Sequence, residues 1–179
     1  MKILSREELR ARTESAKILI SSYRKSREIG FLKKALSMLL FREHGLENYQ
    51  PLYISRGAQE ILGEECDSLV EHLSCARSRI FPATAGKIRK LGYSYEDFVV
   101  EHVVDVSSMV NHLLESDPRD LNDKVMELGR KCPICIVSKE EDLKLKRSDR
   151  NNIENPWSEY DRVGIERTKI RDFCGPLGE

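Results

Sequence analysis

The sequence predicts a mainly α protein with a small α+β element near the C-terminus, its basic N-terminal helices packed on a helical core. Three observations lead there. Apolar residues recur at helical spacing through the first 40 positions. Runs of β-branched residues are confined to residues 98–104 and 134–137. Charged residues make up 34% of the 179 positions, balanced at 30 basic and 30 acidic, which suits solvated helix faces over a core drawn from the 40% that are hydrophobic. A chain of this length forms one domain, or one with a small appendage. It divides into a basic helical region, 1–92, and a C-terminal region, 93–179, or the two form one continuous domain.

Ser5-Arg6-Glu7-Glu8 has the spacing of a capping box, so the first helix starts there. Leu9, Ala16, Leu19, Ile20 and Tyr23 form its apolar stripe, and Phe31, Leu32, Ala35, Leu36, Leu39 and Leu40 form a second after the breaker Gly30. Residues 45–57, with Pro51 and several polar side chains, read as a connector, and 58–62 as a helical turn ending at Gly63. A helix over 66–80 carries Leu69, Val70, Leu73 and Ala76 on one face and stops at Pro82. Lys87-Ile88-Arg89-Lys90-Leu91-Gly92 is a short basic helix.

Two periods compete over 93–116. Val99, Val103, Val106, Val110 and Leu113 advance in steps of four and three, which predicts one long helix from Ser94. The competing reading is a strand through the β-branched run, with Asp105 or Ser107 capping a helix that begins only afterwards. The helical period is the preferred reading. Beyond Asp117-Pro118, Leu121, Val125, Met126 and Leu128 mark a helix ending at Gly129. Residues 132–137 read as a short strand or knuckle, and Ser138-Lys139-Glu140-Glu141 is a second capping box opening a helix through Leu145. A polar loop follows over 147–156, Trp157 and Tyr160 anchor a returning segment, and Gly164 marks a turn.

Four groups of residues carry candidate chemistry. Glu101-His102 pairs a carboxylate that holds a hard cation with an imidazole that serves as general base, although a core histidine among valines looks the same. Cys132-x-x-Cys135 has the spacing for two zinc ligands, or for two buried structural thiols, and Cys66, Cys75, Cys174, His72 or His112 would complete a zinc site. Asp142 stands in the first turn after Ser138, free to face a metal or to form a surface pair. Finally, positions 1–43 hold eleven basic residues against five acidic, a net charge of +6. Arg24, Lys25, Arg27, Lys33 and Lys34 are its candidate phosphate contacts, which makes nucleic acid the expected partner and a solvated surface the alternative.

Taken together, Glu101-His102-Val103-Val104, then the run from Ile136-Val137-Ser138-Lys139 through Glu140-Glu141-Asp142-Leu143, then Asn155-Pro156-Trp157-Ser158-Glu159-Tyr160 and Gly164-Ile165, resemble the C-terminal half of HNH-type, ββα-metal endonuclease-like proteins. The resemblance implies His102 as general base, Glu101 and Asp142 as ligands of one Mg²⁺ or Mn²⁺, and hydrolysis of nucleic-acid phosphodiesters. In that family a histidine usually stands at the position of Asp142, a proline at Asp105, and a middle asparagine for which Asn111 is the candidate here.

The first expectation is therefore a metal-dependent nuclease-like protein. The alternatives are a non-catalytic helical nucleic-acid-binding or regulatory module and a protein-interaction adaptor. No apolar run reaches the roughly 18 residues of a membrane span, and charge follows Met1 where a signal peptide would be apolar, so the expected location is cytoplasmic.

Overall fold

A computed structural model describes residues 6–26, 29–41, 50–62 and 97–172. The first helix, α1 (Arg6–Ser26), opens with Glu7 and Glu8, carboxylates that suit the positive end of the helix dipole. Its buried positions Thr13, Ala16 and Ile20 fall on one stripe. Gly30 does not break the chain between helices but lies in the first turn of α2 (Ile29–Leu36), which continues into a π turn at Ser37–Phe41. Leu32, Leu36 and Leu40 line its inner face. Across the pair, Arg12 Nη1 donates to the carbonyl of Leu39 at 3.3 Å, supplying a partner to a carbonyl near the helix end.

The connector expected over 45–57 contains a strand, β1 (Leu52–Ser55), and α3 (Arg56–Leu62) follows it directly. The helix over 66–80 and the basic helix at 87–92 fall outside the described residues, as do Ser5, Arg27, Cys66, Cys75, His72 and Cys174.

The preferred long helix over 93–116 is not what forms. β2 (Phe98–His102) takes its first half and α4 (Val106–Glu115) its second. The Asp105 carboxylate accepts from Ser107 N at 2.9 Å, so the helix starts after the β-branched run. Every residue of β2 pairs with β3, from Phe98 opposite Ser138 to His102 opposite Ile134. Of the stripe's helical half, Val110 and Leu113 are buried on α4, together with Met109. A 3₁₀ turn at Pro118–Asp120 leads into α5 (Leu121–Lys131), which runs past the expected stop at buried Gly129.

β3 (Ile134–Ser138) is buried at all five positions, as a central strand should be. The second capping box forms completely, with Ser138 Oγ accepting from Glu141 N and the Glu141 carboxylate accepting from Ser138 N. The helix it opens, α6 (Lys139–Asp142), is shorter than expected and does not reach Leu145. The backbone tightens through Lys144 N to Glu141 O and Leu145 N to Asp142 O, leaving Leu143 exposed and turning Leu145 onto the sheet. After the 3₁₀ turn Arg147–Asp149 come α7 (Ser158–Arg162), a turn at Gly164 with φ of 73°, and β4 (Arg167–Arg171).

The four strands order as β2-β3-β1-β4, with β1 parallel to β3 and the outer pairs antiparallel. β1, from the N-terminal region, thus sits between two strands from the C-terminal region. Alternation gives the sheet two apolar faces. Leu52, Ile54, Phe98, Ile134 and Ile136 pack with Ala58 and Leu62 of α3. Val103, Cys135 and Val137 pack with Tyr160 and Ile165 on the other face. A third cluster joins α1, α2, α4 and α5 through Ile20, Leu36, Val110 and Leu128, and takes in Val104 and Cys132 where the β2-to-β3 connection leaves and rejoins the sheet. The result is mainly helical with a small four-stranded sheet.

Candidate functional site

Glu101 and His102 end the edge strand β2, and adjacent strand residues point to opposite sheet faces. Glu101 stands opposite Cys135, on the face of Val137 and Tyr160, whereas His102 stands opposite Ile134, on the face of α3. Asp142 belongs to the other end of the ladder. α6 springs from Ser138, which pairs with Phe98, and four strand steps of about 3.3 Å separate Phe98 from His102, roughly 13 Å. Asp142 is engaged by Lys139 Nζ at 3.3 Å. The fold therefore does not gather Glu101, His102 and Asp142 into one coordination sphere, and these residues as placed do not fit a shared Mg²⁺ or Mn²⁺.

What the fold does bring to Glu101 is a cation of its own. Arg150, 7% exposed, extends Nη1 to within 2.5 Å of Glu101 Oε2 and 3.3 Å of the His102 carbonyl oxygen. Its own carbonyl accepts from Asp105 N at 2.7 Å, so the 147–156 loop is tied to the β2–α4 junction from both sides. Burial pulls the guanidinium's pKa down, but the Glu101 pair outweighs it and the net shift is upward. Beside it, burial pushes the Tyr160 phenol well above its ordinary range. Sequence reasoning missed Arg150, because an arginine in a polar segment carries no local sign of burial.

The two thiols of Cys132-x-x-Cys135 do not converge. Cys132, at the C-terminal end of α5, belongs to the helical cluster, and Cys135 on β3 belongs to the sheet face of Tyr160. Burial raises Cys132 to about 12 and Cys135 further still, aided by the charge of Glu141. The two thiols thus belong to separate apolar clusters, and no group of three metal-binding side chains occurs among the described residues.

Four of the five candidate phosphate contacts lie on α1 and α2. Arg24 and Lys25 lie in the last turn of α1, where cations suit the helix dipole, and α2 begins three residues after α1 ends. Lys33 is half-buried and Lys34 exposed on α2. From Ser15 to Arg42 the sequence has seven basic residues and one acidic, Glu28. By sequence this segment is net +6, which the rest of the chain, net −6, balances.

A further constellation lies where the parallel strands β1 and β3 end. There Glu141, buried, accepts from Ser55 Oγ in a short hydrogen bond, from Gly57 N at 3.1 Å and from Ser138 N at 3.0 Å. Ser55 Oγ in turn accepts from Ala58 N at 3.2 Å. An open cleft of about 380 Å³ beside it is lined by Arg56, Glu60, Lys144 and Glu166, with Arg56 bonded to Glu166 and Glu60 at 2.9 Å each. The Glu141 carboxylate itself occupies the backbone donors that an external anion would need, so this junction is a staple between two strand-to-helix turns.

A second buried carboxylate gives the fold an acid-sensitive point. Arg162 holds Glu159 at 2.6 and 2.5 Å and lowers its pKa to about 2, against an ordinary 4.5, helped by Lys146 N at 2.8 Å. A carboxylate depressed on folding stabilises the native state above its unfolded pKa, and that contribution is lost as pH falls through the folded value. Wild-type stability is therefore expected to decline from about pH 4.5 toward about 2 more steeply than that of Glu159→Gln, as read by urea midpoints across that window. Parallel curves would remove this carboxylate from the acid response.

No protein-family model matches the chain, and no curated protein or solved structure matches it.

Proposed function

We propose that this chain is a non-catalytic nucleic-acid-binding module that engages phosphates through the basic corner of α1 and α2. The segregation of charge carries the reading: seven cations and one carboxylate between Ser15 and Arg42, in a chain whose net charge is zero. Cations gathered on a helical layer gain by releasing the counterions of a nucleic acid. The placement of Glu101 favours binding over hydrolysis, since a buried guanidinium already neutralises the carboxylate that the HNH resemblance would give to a metal. No helix among the described residues is long and apolar enough to cross a membrane.

Labelled DNA and RNA, single- and double-stranded, should shift with the protein equally in Mg²⁺, Mn²⁺ or EDTA and remain intact. His102→Ala should bind as the wild type does. Replacing Arg24, Lys25 and Arg27 together with alanine should weaken binding and lower the slope of log K against log salt by roughly 0.7–0.9 for each phosphate contact removed. Metal-dependent cleavage that disappears in His102→Ala would instead restore the nuclease reading. Absence of salt-sensitive binding would sink the nucleic-acid reading altogether.

A further inference from the structure

The edge strand β4 carries a feature the basic corner does not. Its sequence Arg167-Thr168-Lys169-Ile170-Arg171 alternates cations with neutral residues, and Ile170 packs on the α3 face of the sheet. Arg167 and Lys169, on the opposite face, recur every two residues, about 6.7 Å. Both lie over aromatic rings. The Arg167 guanidinium sits 4.1 Å from the ring centroid of Trp157, and Lys169 Nζ sits 5.9 Å from that of Tyr53. The two rings meet edge to face at 4.7 Å, and Trp157 meets buried Tyr160 at 5.1 Å, so the outer pair rests on a fixed support. Tyr53 and Trp157 are each half-buried.

We infer that this edge is a contact surface for a single-stranded nucleic acid, with phosphates along Arg167 and Lys169 and bases against Trp157 and Tyr53. The inference rests on the nucleic-acid reading above and names the form of the ligand. Cations spaced along an extended strand beside aromatic rings are the two components of single-strand binding: charge for the backbone and aromatic surface for bases that displace the cations toward phosphate. Each cation is presently held by a carboxylate, Arg167 by Asp161 at 2.7 Å and Lys169 by Asp172 at 2.9 Å. The Lys169–Asp172 pair, 48% and 83% exposed, is of the weak surface kind that phosphate oxygens displace, whereas Arg167 is only 20% exposed against an Asp161 that is 58% exposed. Charged side chains also protect a sheet edge from pairing with another chain. That protective role requires neither rings nor single strands, and so the two roles separate by experiment.

Trp157 is the only tryptophan in the chain, which makes its fluorescence a reporter of this one surface. Titration of the full chain with oligo(dT) should quench that emission in step with the gel shift, while a duplex of equal length should bind with little quenching. Lys169→Glu, at a site 48% exposed where folding should be unaffected, should weaken oligo(dT) binding roughly tenfold and reduce the quench. Binding to oligo(dT) with unchanged Trp157 emission would overturn this surface while leaving the basic corner as the binding site. Unaltered affinity and quench in Lys169→Glu would overturn it too. No binding of any nucleic acid would overturn it together with the reading on which it rests.

Discussion

Arg150→Ala should cost about 3 kcal/mol of stability, the lower end for removing one partner from a buried ion pair. For a chain of this size that is a fall in Tm of roughly 6–12 °C. The cost comes mainly from what stays behind. Glu101 keeps only limited contact with solvent, and without the guanidinium 2.5 Å away its charge is left against Tyr160 and Cys135. The bond to the His102 carbonyl is lost as well, and with it one of the ties holding the 147–156 loop to the end of β2. Glu101→Gln with Arg150→Ala should recover part of the loss, because neither member is then an uncompensated charge, so the double-mutant cycle should depart from additivity by more than 1 kcal/mol. A loss below about 1 kcal/mol in Arg150→Ala would place the pair in the class of weak surface bridges. Recovery in the double variant also bears on function, since it would show that Glu101 serves chiefly as the counter-charge of Arg150.

The features legible in the sequence were those encoded over one or two turns. The Ser138–Glu141 capping box forms with both hydrogen bonds, and the stripes through Ala16 and Ile20 and through Leu32, Leu36 and Leu40 are buried. β1 was not legible. A four-residue strand after a proline is too short to show a period, and its partners Ile134 and Arg167 lie in the last third of the chain. The valine spacing over 99–113 misled for a related reason. Steps of four and three fit a helix whatever the backbone does, and the deciding features were the Asp105 cap and the pairing of β2 with β3. The same strand geometry explains the fate of Glu101-His102. Neighbours in sequence suggest a shared site, yet in an extended strand they face opposite sides of the sheet. Arg150 was beyond reach because its burial depends on a loop held by Asp105, a contact spanning most of the distance between β2 and α7.

Gly57→Ala sets two opposed effects against each other. Gly57 lies in the first turn of α3, where exchanging glycine for alanine ordinarily gains about 0.5–1 kcal/mol of helix stability. Here a Cβ would lie 2.7 Å from Glu141 Cδ and 2.8 Å from both carboxylate oxygens. The end of a glutamate is normally free to swing away, so overlap alone would be cheap. This one is held by Ser55 Oγ, Gly57 N and Ser138 N, and moving it surrenders hydrogen bonds to a charged group worth roughly 1.5–3 kcal/mol each. Loss of one or two outweighs the helix gain, and Gly57→Ala is expected to destabilise the protein by about 2 kcal/mol. The cause can be isolated by first removing the carboxylate. In a Glu141→Ala background the space beside Gly57 is vacant, so adding Gly57→Ala should be neutral or slightly stabilising as propensity reasserts itself. Equal destabilisation in both backgrounds would mean that the backbone at the β1–α3 turn, and not the Glu141 staple, is what requires glycine there.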